Sequence, residues 1–145
     1  MRDVNDISNC TNATLRKANR LIGQAFDNQL QPSGLKATQF TLLATLDKMG
    51  VAGVTQLAEV MVMDRTTLSR NLKPLLNKGL IQVLDDQDQR VRQMQLTEQG
   101  QKMYEQALPY WQAIQNKVVQ RIGKERWHQF LKDLDTTIEV MKGNI

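Results

Sequence analysis

One segment, residues 65–78, constrains the fold of this 145-residue chain more than any other part of the sequence. Four leucines recur in it at helical spacing and can face a core: Leu68, Leu72, Leu75 and Leu76. Polar or cationic residues recur at the same period on the opposite side: Thr66, Arg70, Lys73 and Asn77. No acidic residue occurs from Arg65 to Leu84. A helix with an apolar inner face and a basic, hydrogen-bonding outer face suits the DNA major groove.

Shorter elements are predicted on both sides of this helix. A short helix from Gly53 to Met61 precedes it, and Asp64 after the tight turn is a favourable N-cap. Gly79 lies where a left-handed residue would end the helix. Alternating apolar residues then predict two antiparallel strands, at 81–83 and 93–96, joined by a polar loop. The order predicts a mainly α fold with a small two-stranded β wing (α+β), that is, a winged helix-turn-helix.

Amphipathic helices are predicted towards both ends of the chain. Apolar residues at three-four spacing predict a first helix over about residues 7–30. Thr38 is expected to cap a second helix that ends near Gly50. Thr97 is placed to cap the helix after the wing, and the last helix is predicted from Lys124 to Lys142.

The first and the last two predicted helices display more apolar surface than a chain of this size can cover by itself. The residues of the last helix expected to face inward are Trp127, Leu131, Leu134, Ile138 and Met141. A second copy of the chain could cover the excess through a symmetric interface. We therefore expect a homodimer, with residues 35–100 as the DNA-binding domain and residues 1–34 and 101–145 as a helical dimerisation region.

The composition limits the other classes of protein. A hydrophobic fraction of 41% is enough for a core, and the formal net charge of +4 favours polyanionic partners. No apolar run is long enough to span a membrane and no signal peptide is recognisable, so a cytoplasmic location is expected. The single cysteine, Cys10, cannot form an internal disulfide, which agrees with a reducing compartment.

Four motifs carry a resemblance to a known family. They are Leu57-Ala58-Glu59, the run from Met63 to Leu72, Asn77-Lys78-Gly79-Leu80-Ile81, and a wing with Asp88-Gln89-Arg90 before Leu96-Thr97-Glu98-Gln99-Gly100. With this order of elements, the chain resembles the MarR family of bacterial transcriptional regulators over nearly its whole length. The resemblance implies a homodimer on a pseudo-palindromic operator, usually a repressor released by a small-molecule effector.

The resemblance also implies roles for particular residues. Those in or beside the major groove would be Arg65, Thr66, Thr67, Ser69, Arg70 and Lys73, and Asn77 extends the same face. Arg90 would enter the minor groove, oriented by Asp88, because a narrow minor groove attracts an inserted arginine. Val62 stands where family members often carry glycine, and a β-branched residue disfavours positive φ. The sequence therefore predicts a different turn geometry at this position.

An effector pocket is the second candidate site, with Cys10, Tyr104 and Trp111 as its residues. Family members commonly bind small aromatic molecules between the dimer helices and the winged domain, whereas the alternative for these side chains is ordinary core packing. Cys10 also has two interpretations, a redox sensor of the kind found in one branch of the family or a small buried residue. We expect no cofactor and no metal site, because His128 has no partner at ligand spacing and the acidic cluster of residues 85–88 lacks an EF-hand pattern.

Two other functions compete with the regulator. A winged-helix protein-interaction module without specific DNA binding is the first, and the lysine content of the basic face argues against it. An enzyme is the second, and we expect none, because no nucleophile elbow, glycine-rich phosphate loop or metal constellation occurs in the sequence. The sequence leaves open the operator, the regulated genes and the identity of the effector.

Overall fold

The computed structural model describes residues 1–84 and 92–143, and it confirms the mainly α winged helix-turn-helix fold. The helices are α1 (Thr11–Leu30), α2 (Ala37–Met49), α3 (Val54–Met61), α4 (Arg65–Asn77), α5 (Glu98–Ile122) and α6 (Lys124–Lys142). The strands are β1 (Ala52–Gly53), β2 (Ile81–Val83) and β3 (Gln93–Leu96). Short 3₁₀ turns lie at Ile7–Asn9 and Gln31–Ser33.

The sheet has three strands where the sequence predicted two. Strand β3 lies in the middle and pairs antiparallel with both β1 and β2. Ala52 of β1 pairs with Met94, and Ile81 of β2 pairs with Leu96. Strand β1 was missed because two residues are too few to show alternation. The added strand ties the start of α3 to the base of the wing.

A leucine-rich core fills the space between α2, α3, α4, the sheet and the C-terminal end of α1. The most completely buried side chains are Leu30, Leu42, Leu43, Leu46, Leu57, Leu68, Leu75, Leu80 and Met94. The predicted inner face of α4 is confirmed, because Leu68, Leu72 and Leu75 are at most 2% exposed. Together these residues hold α4 so that its opposite face is turned to solvent.

The N-terminal ends of α1 and α2 differ from the prediction. The helix predicted from Ile7 starts instead as a 3₁₀ turn, and Ile7 is exposed. Thr38 does not cap α2, which begins one residue before it. The free backbone N–H of Ala37 donates instead to Asp27 Oδ1 on α1, at 2.8 Å. The side chain of Gln39 accepts the N–H of Lys36 at 3.0 Å, which is a local cap. The contact with Asp27 comes from ten residues upstream, and local sequence rules do not reveal it.

The terminal helices are poorly covered in the single chain. None of the residues of α6, all of which the structure describes, is buried. The side chains expected to face inward there are half-buried or exposed, with Ile138 and Met141 among the exposed ones. Among the described residues, no helix is long and apolar enough to cross a membrane.

Candidate nucleic-acid interface

The turn between α3 and α4 is closed by two backbone hydrogen bonds around Val62. The N–H of Met63 donates to the carbonyl of Ala58 at 2.9 Å, and the N–H of Val62 donates to that of Glu59 at 3.2 Å. This arrangement needs a left-handed residue, and Val62 adopts φ 52° and ψ 47°. The expectation that a β-branched residue would change the turn was therefore wrong. The chain retains the geometry at a cost in backbone strain.

Asp64 begins α4 as predicted. Its Oδ1 accepts the backbone N–H of Thr67 at 2.7 Å, and its Oδ2 accepts the Thr67 hydroxyl at 2.8 Å. The backbone bond and then the hydroxyl bond lower the pKa of the Asp64 carboxyl below its ordinary value. Thr67, predicted to lie at the groove, is half-buried and its hydroxyl is already used in this cap.

The other predicted groove residues of α4 form one solvent-facing surface, which we call the reading face: Arg65, Thr66, Ser69, Arg70, Lys73 and Asn77. All six are exposed, and they extend from the first to the last residue of the helix. The surface presents three cations, two hydroxyls and an amide. Such groups can bond both to phosphate oxygens and to base edges.

The base of the wing is fixed to the end of α4 through Thr97 and Gly100. The Thr97 N–H donates to the carbonyl of Leu80 at 3.1 Å, and its hydroxyl donates to the carbonyl of Gly79 at 2.6 Å. The same hydroxyl oxygen accepts the N–H of Gly100 at 3.0 Å, which caps α5 as predicted. A Cβ atom at residue 100 would overlap the carbonyl oxygen of Leu80. This contact gives the Leu-Thr-x-x-Gly motif a physical reason.

The predicted minor-groove residues, Asp88 and Arg90, lie outside the described residues, and their roles stay predictions. The last described pairing below them joins Val83 to Met94. Arg92, which the sequence reasoning did not single out, is exposed immediately before β3. Its position two residues after the predicted Arg90 is the sequence signal that could have marked it as another cation of the wing.

The aromatic residues of the candidate effector pocket lie against Phe40 of α2. The ring of Phe40 is 5.4 Å from that of Tyr104 and 5.9 Å from that of Trp111, both on α5. Burial, followed by the charges of Asp47 and Glu105, raises the pKa of the Tyr104 hydroxyl. The three rings join α2 to α5.

A groove of about 660 Å³ opens beside these rings, between α2, α3 and α5. Trp111 and Phe40 line it with Thr41, Ala44, Thr45, Lys48, Met49 and Val60. Tyr104 is not among the lining residues of this groove, and neither is Cys10, which is half-buried just before α1. Of the three residues predicted for an effector pocket, Trp111 lines this groove, and the shared pocket stays a prediction.

An apolar cleft of about 370 Å³ separates α1 from α5 and α6. The side chains that line it are Leu15, Ala18, Asn19, Ile22, Phe26, Gln115, Val118, Trp127, Phe130, Leu131 and Leu134. Nine of these eleven are hydrophobic, so most of the cleft offers no hydrogen-bonding group. Across residues 1–84 and 92–143, no three His, Cys, Asp or Glu side chains lie together as a metal ion would need.

Comparisons with known proteins agree with this geometry. The model of the MarR family matches residues 35–91. An uncharacterized HTH-type transcriptional regulator of Bacillus subtilis, YxaD, is 30% identical over 119 residues, which are 81% of this chain and 75% of that protein. The transcriptional regulator MosR of M. tuberculosis, solved in complex with DNA, is 34% identical with a TM-score of 0.80, over 90% of this chain and 97% of MosR.

A mutant of E. coli MarR complexed with operator DNA shares the fold, with a TM-score of 0.82 at 20% identity over 94% of this chain and 99% of that one. The resemblance inferred from the sequence motifs is thereby confirmed, and these similar proteins are regulators rather than enzymes. The chain belongs to the MarR family of winged-helix transcriptional regulators.

Proposed function

We propose that this protein is a homodimeric repressor that binds a pseudo-palindromic operator in the cytoplasm and is released by a small aromatic effector. The observation that carries the proposal is the reading face, because six exposed polar or cationic residues lie on one helix whose other side is anchored by buried leucines. A rigidly held helix of this chemistry can read base edges while its cations contact phosphates.

The assignment of DNA as the partner is supported by charge and by similarity. The reading face holds Arg65, Arg70 and Lys73, and the residues of α4 include no carboxylate. MosR, at 34% identity, was solved with DNA. In this proposal Arg70, near the middle of the helix, reads a base edge with its planar guanidinium group, whereas Lys73 contacts phosphate.

The proposed homodimer is supported by uncovered apolar surface on the terminal helices. Leu21 of α1 is 71% exposed and Val140 of α6 is 67% exposed, while Leu15 and Leu131 lie at the cleft between the two helices. A second copy would remove this surface from water and would present two reading faces to two half-sites.

The groove between α2, α3 and α5 is the proposed effector site. Its aromatic walls can hold a flat ring, and Lys48 offers a cation to an acidic substituent. Thr45 lines this groove, and its hydroxyl lies 3.4 Å from the sulfur of Met61, the last residue of α3. An occupant that displaces Thr45 would therefore act directly on the helix before the turn. If the effector weakens DNA binding, DNA must weaken effector binding by the same factor.

The test is a fluorescence-anisotropy titration against DNA from the gene's own upstream region, with a scrambled sequence as competitor, at two salt concentrations. Arg70→Ala should weaken specific binding by about 1–3 kcal/mol, as for a base-reading arginine. Arg126→Ala is the matched control, because it removes an exposed arginine from α6. Specific binding by two protomers that survives competitor would support the proposal.

Equal, salt-sensitive binding of both sequences would reveal phosphate attraction alone and would favour an interaction module instead. An unchanged operator affinity in Arg70→Ala would place the reading face elsewhere.

A further inference from the structure

The C-terminal end of α6 returns to the helix-turn-helix. Lys142, the last residue of α6, lines a cleft of about 670 Å³ together with Thr55 of α3 and Arg65 of α4. The turn residues Val62 and Met63 form part of the same wall. A cation from the far end of the sequence thus lies beside the first residue of the reading face.

Two acidic side chains, Glu59 and Asp64, share this cleft with the cations. Asp64 is already occupied, because each of its oxygens accepts a hydrogen bond from Thr67. Glu59 is exposed on α3. An anion entering the cleft would therefore meet two cations, one occupied carboxylate and one opposing carboxylate.

The ammonium group of Lys142 can reach such an anion. Its Nζ lies 3.0 Å from Glu139 Oε1, but the Lys142 side chain is 46% exposed and that of Glu139 is 73% exposed. An ion pair in solvent of this kind contributes little free energy and exchanges readily. About half of the Lys142 side chain is covered, and this residue lines the same cleft as the turn residues.

We propose that this cleft binds a phosphate of the DNA backbone next to the half-site, with Lys142 and Arg65 supplying charge and Thr55 a hydroxyl donor. The inference rests on the proposed DNA-binding function and adds α6 to the DNA contact surface. A phosphate is the fitting occupant because the cleft is continuous with the reading face through Arg65, and phosphate contacts fix the register of a protein on DNA. The dimerisation helix then contacts the nucleic acid directly.

Because the cleft contains both cations and carboxylates, substitutions in it should change the operator affinity in opposite directions. Lys142→Gln should weaken operator binding about 3- to 10-fold, and the slope of log K against log salt should fall by about one per protomer. Glu59→Gln should strengthen binding by about 2- to 5-fold, because it removes a carboxylate that lines the cleft and repels the phosphate. Lys142→Arg should retain the affinity, since it keeps the charge.

Matched controls lie at the opposite end of α6. Lys124→Gln and Glu125→Gln make the same changes in charge about 27 Å along the helix from Lys142. Both should leave affinity and slope unchanged. Thermal unfolding of each variant shows whether a weaker affinity comes from a lost DNA contact or from a loss of folded protein. If Lys142→Gln does not fold, Glu59→Gln still tests the inference.

Three results would overturn the inference. One is a Lys142→Gln protein whose affinity and salt slope equal those of the wild type, and another is an equal loss in Lys124→Gln, which would indicate a general effect of charge. A Glu59→Gln protein that binds no tighter would be the third. A wild-type protein without operator binding would instead overturn the proposed function itself, so the two failures are distinguishable.

Discussion

The winged domain and the terminal helices use their apolar residues in opposite ways. In α4 three leucines are at most 2% exposed, whereas α6, described in full, has no buried residue despite its own apolar stripe. The hydrogen bonds follow the same division. The winged domain is closed by the Asp64 cap, the Val62 turn and the Thr97 contacts, while most side-chain bonds of α6 join residues of the same helix. The winged domain thus contributes most of the buried core, whereas α6 leaves its apolar residues partly in contact with water, and we propose that a second copy covers them.

The largest expected effect is on the free energy of unfolding. It is measured by truncating one leucine in each of the two regions. Leu75→Ala should lower the free energy of unfolding by about 2–5 kcal/mol, because it leaves a cavity in a closely packed core. Leu131→Ala, at a residue 38% exposed, should cost less than about 1 kcal/mol in dilute protein. Urea unfolding at low protein concentration measures both. Equal losses would mean that α6 packs as firmly as the winged domain.

A smaller effect is expected at the joint between the two regions. Gly100→Ala should destabilise the protein by about 1–3 kcal/mol, because the new methyl group overlaps the Leu80 carbonyl. Gly23→Ala in α1 is the matched control, since a methyl group added there meets nothing within 4 Å and alanine favours the helix by about 0.5–1 kcal/mol. A differential scanning calorimetry trace should show opposite shifts in Tm. Identical shifts would show that the close approach of Gly100 to the Leu80 carbonyl does not explain the glycine of the Leu-Thr-x-x-Gly motif.

A gain in stability is expected at the strained turn. Val62→Gly should raise the free energy of unfolding by up to about 1 kcal/mol, because glycine adopts φ 52° without strain and the valine side chain is 57% exposed. Val60→Gly, only two residues earlier but inside α3, should lower it by about 0.5 kcal/mol. Chemical denaturation of the two variants measures whether their changes in the free energy of unfolding have opposite signs. A destabilised Val62→Gly protein would indicate that the valine side chain makes a contact worth more than the strain.

The smallest expected effect is a pH dependence of the stability contributed by Asp64 at the start of α4. The folded-state pKa of Asp64 is lowered by the Thr67 bonds, so the ionised cap stabilises the fold above the unfolded pKa near 3.8. This contribution should vanish as the pH falls through the lowered value. The stability difference between wild type and Asp64→Ala, followed by circular dichroism from about pH 6 to about pH 2, should therefore shrink. A difference that stays constant with pH would exclude the carboxylate charge as its source.

Local signals predicted the winged domain well, because each depends on residues close in sequence. The leucine spacing of α4, the Asp64 and Thr97 caps and the left-handed Gly79 are of this kind. The predictions that were wrong mostly concern contacts between distant residues. Strand β1 pairs across about forty residues with β3, and Asp27 on another helix accepts the N–H of the first residue of α2.

The same distinction explains the candidate sites. The reading face follows from one helical period, so its members could be chosen from the sequence, although their roles in DNA binding stay predictions. The approach of Lys142 to Arg65 joins residues 77 positions apart, and no local pattern indicates it. Helical spacing put Tyr104 and Trp111 on one stripe of α5, but the sequence did not reveal that Phe40 lies against both rings.

The contact between Gly100 and Leu80 has a mechanical consequence. Because no side chain separates the first turn of α5 from the chain entering β2, and Thr97 bonds to both sides of the joint, α5 and the base of the wing must turn together. The 25 residues of α5 make an arm about 37 Å long, so a tilt of about 5° moves its far end by about 3 Å. Conversely, a shift of a few ångströms where α5 meets α6 tilts the base of the wing. The absence of a side chain at residue 100 thus couples a long helix to the base of the wing.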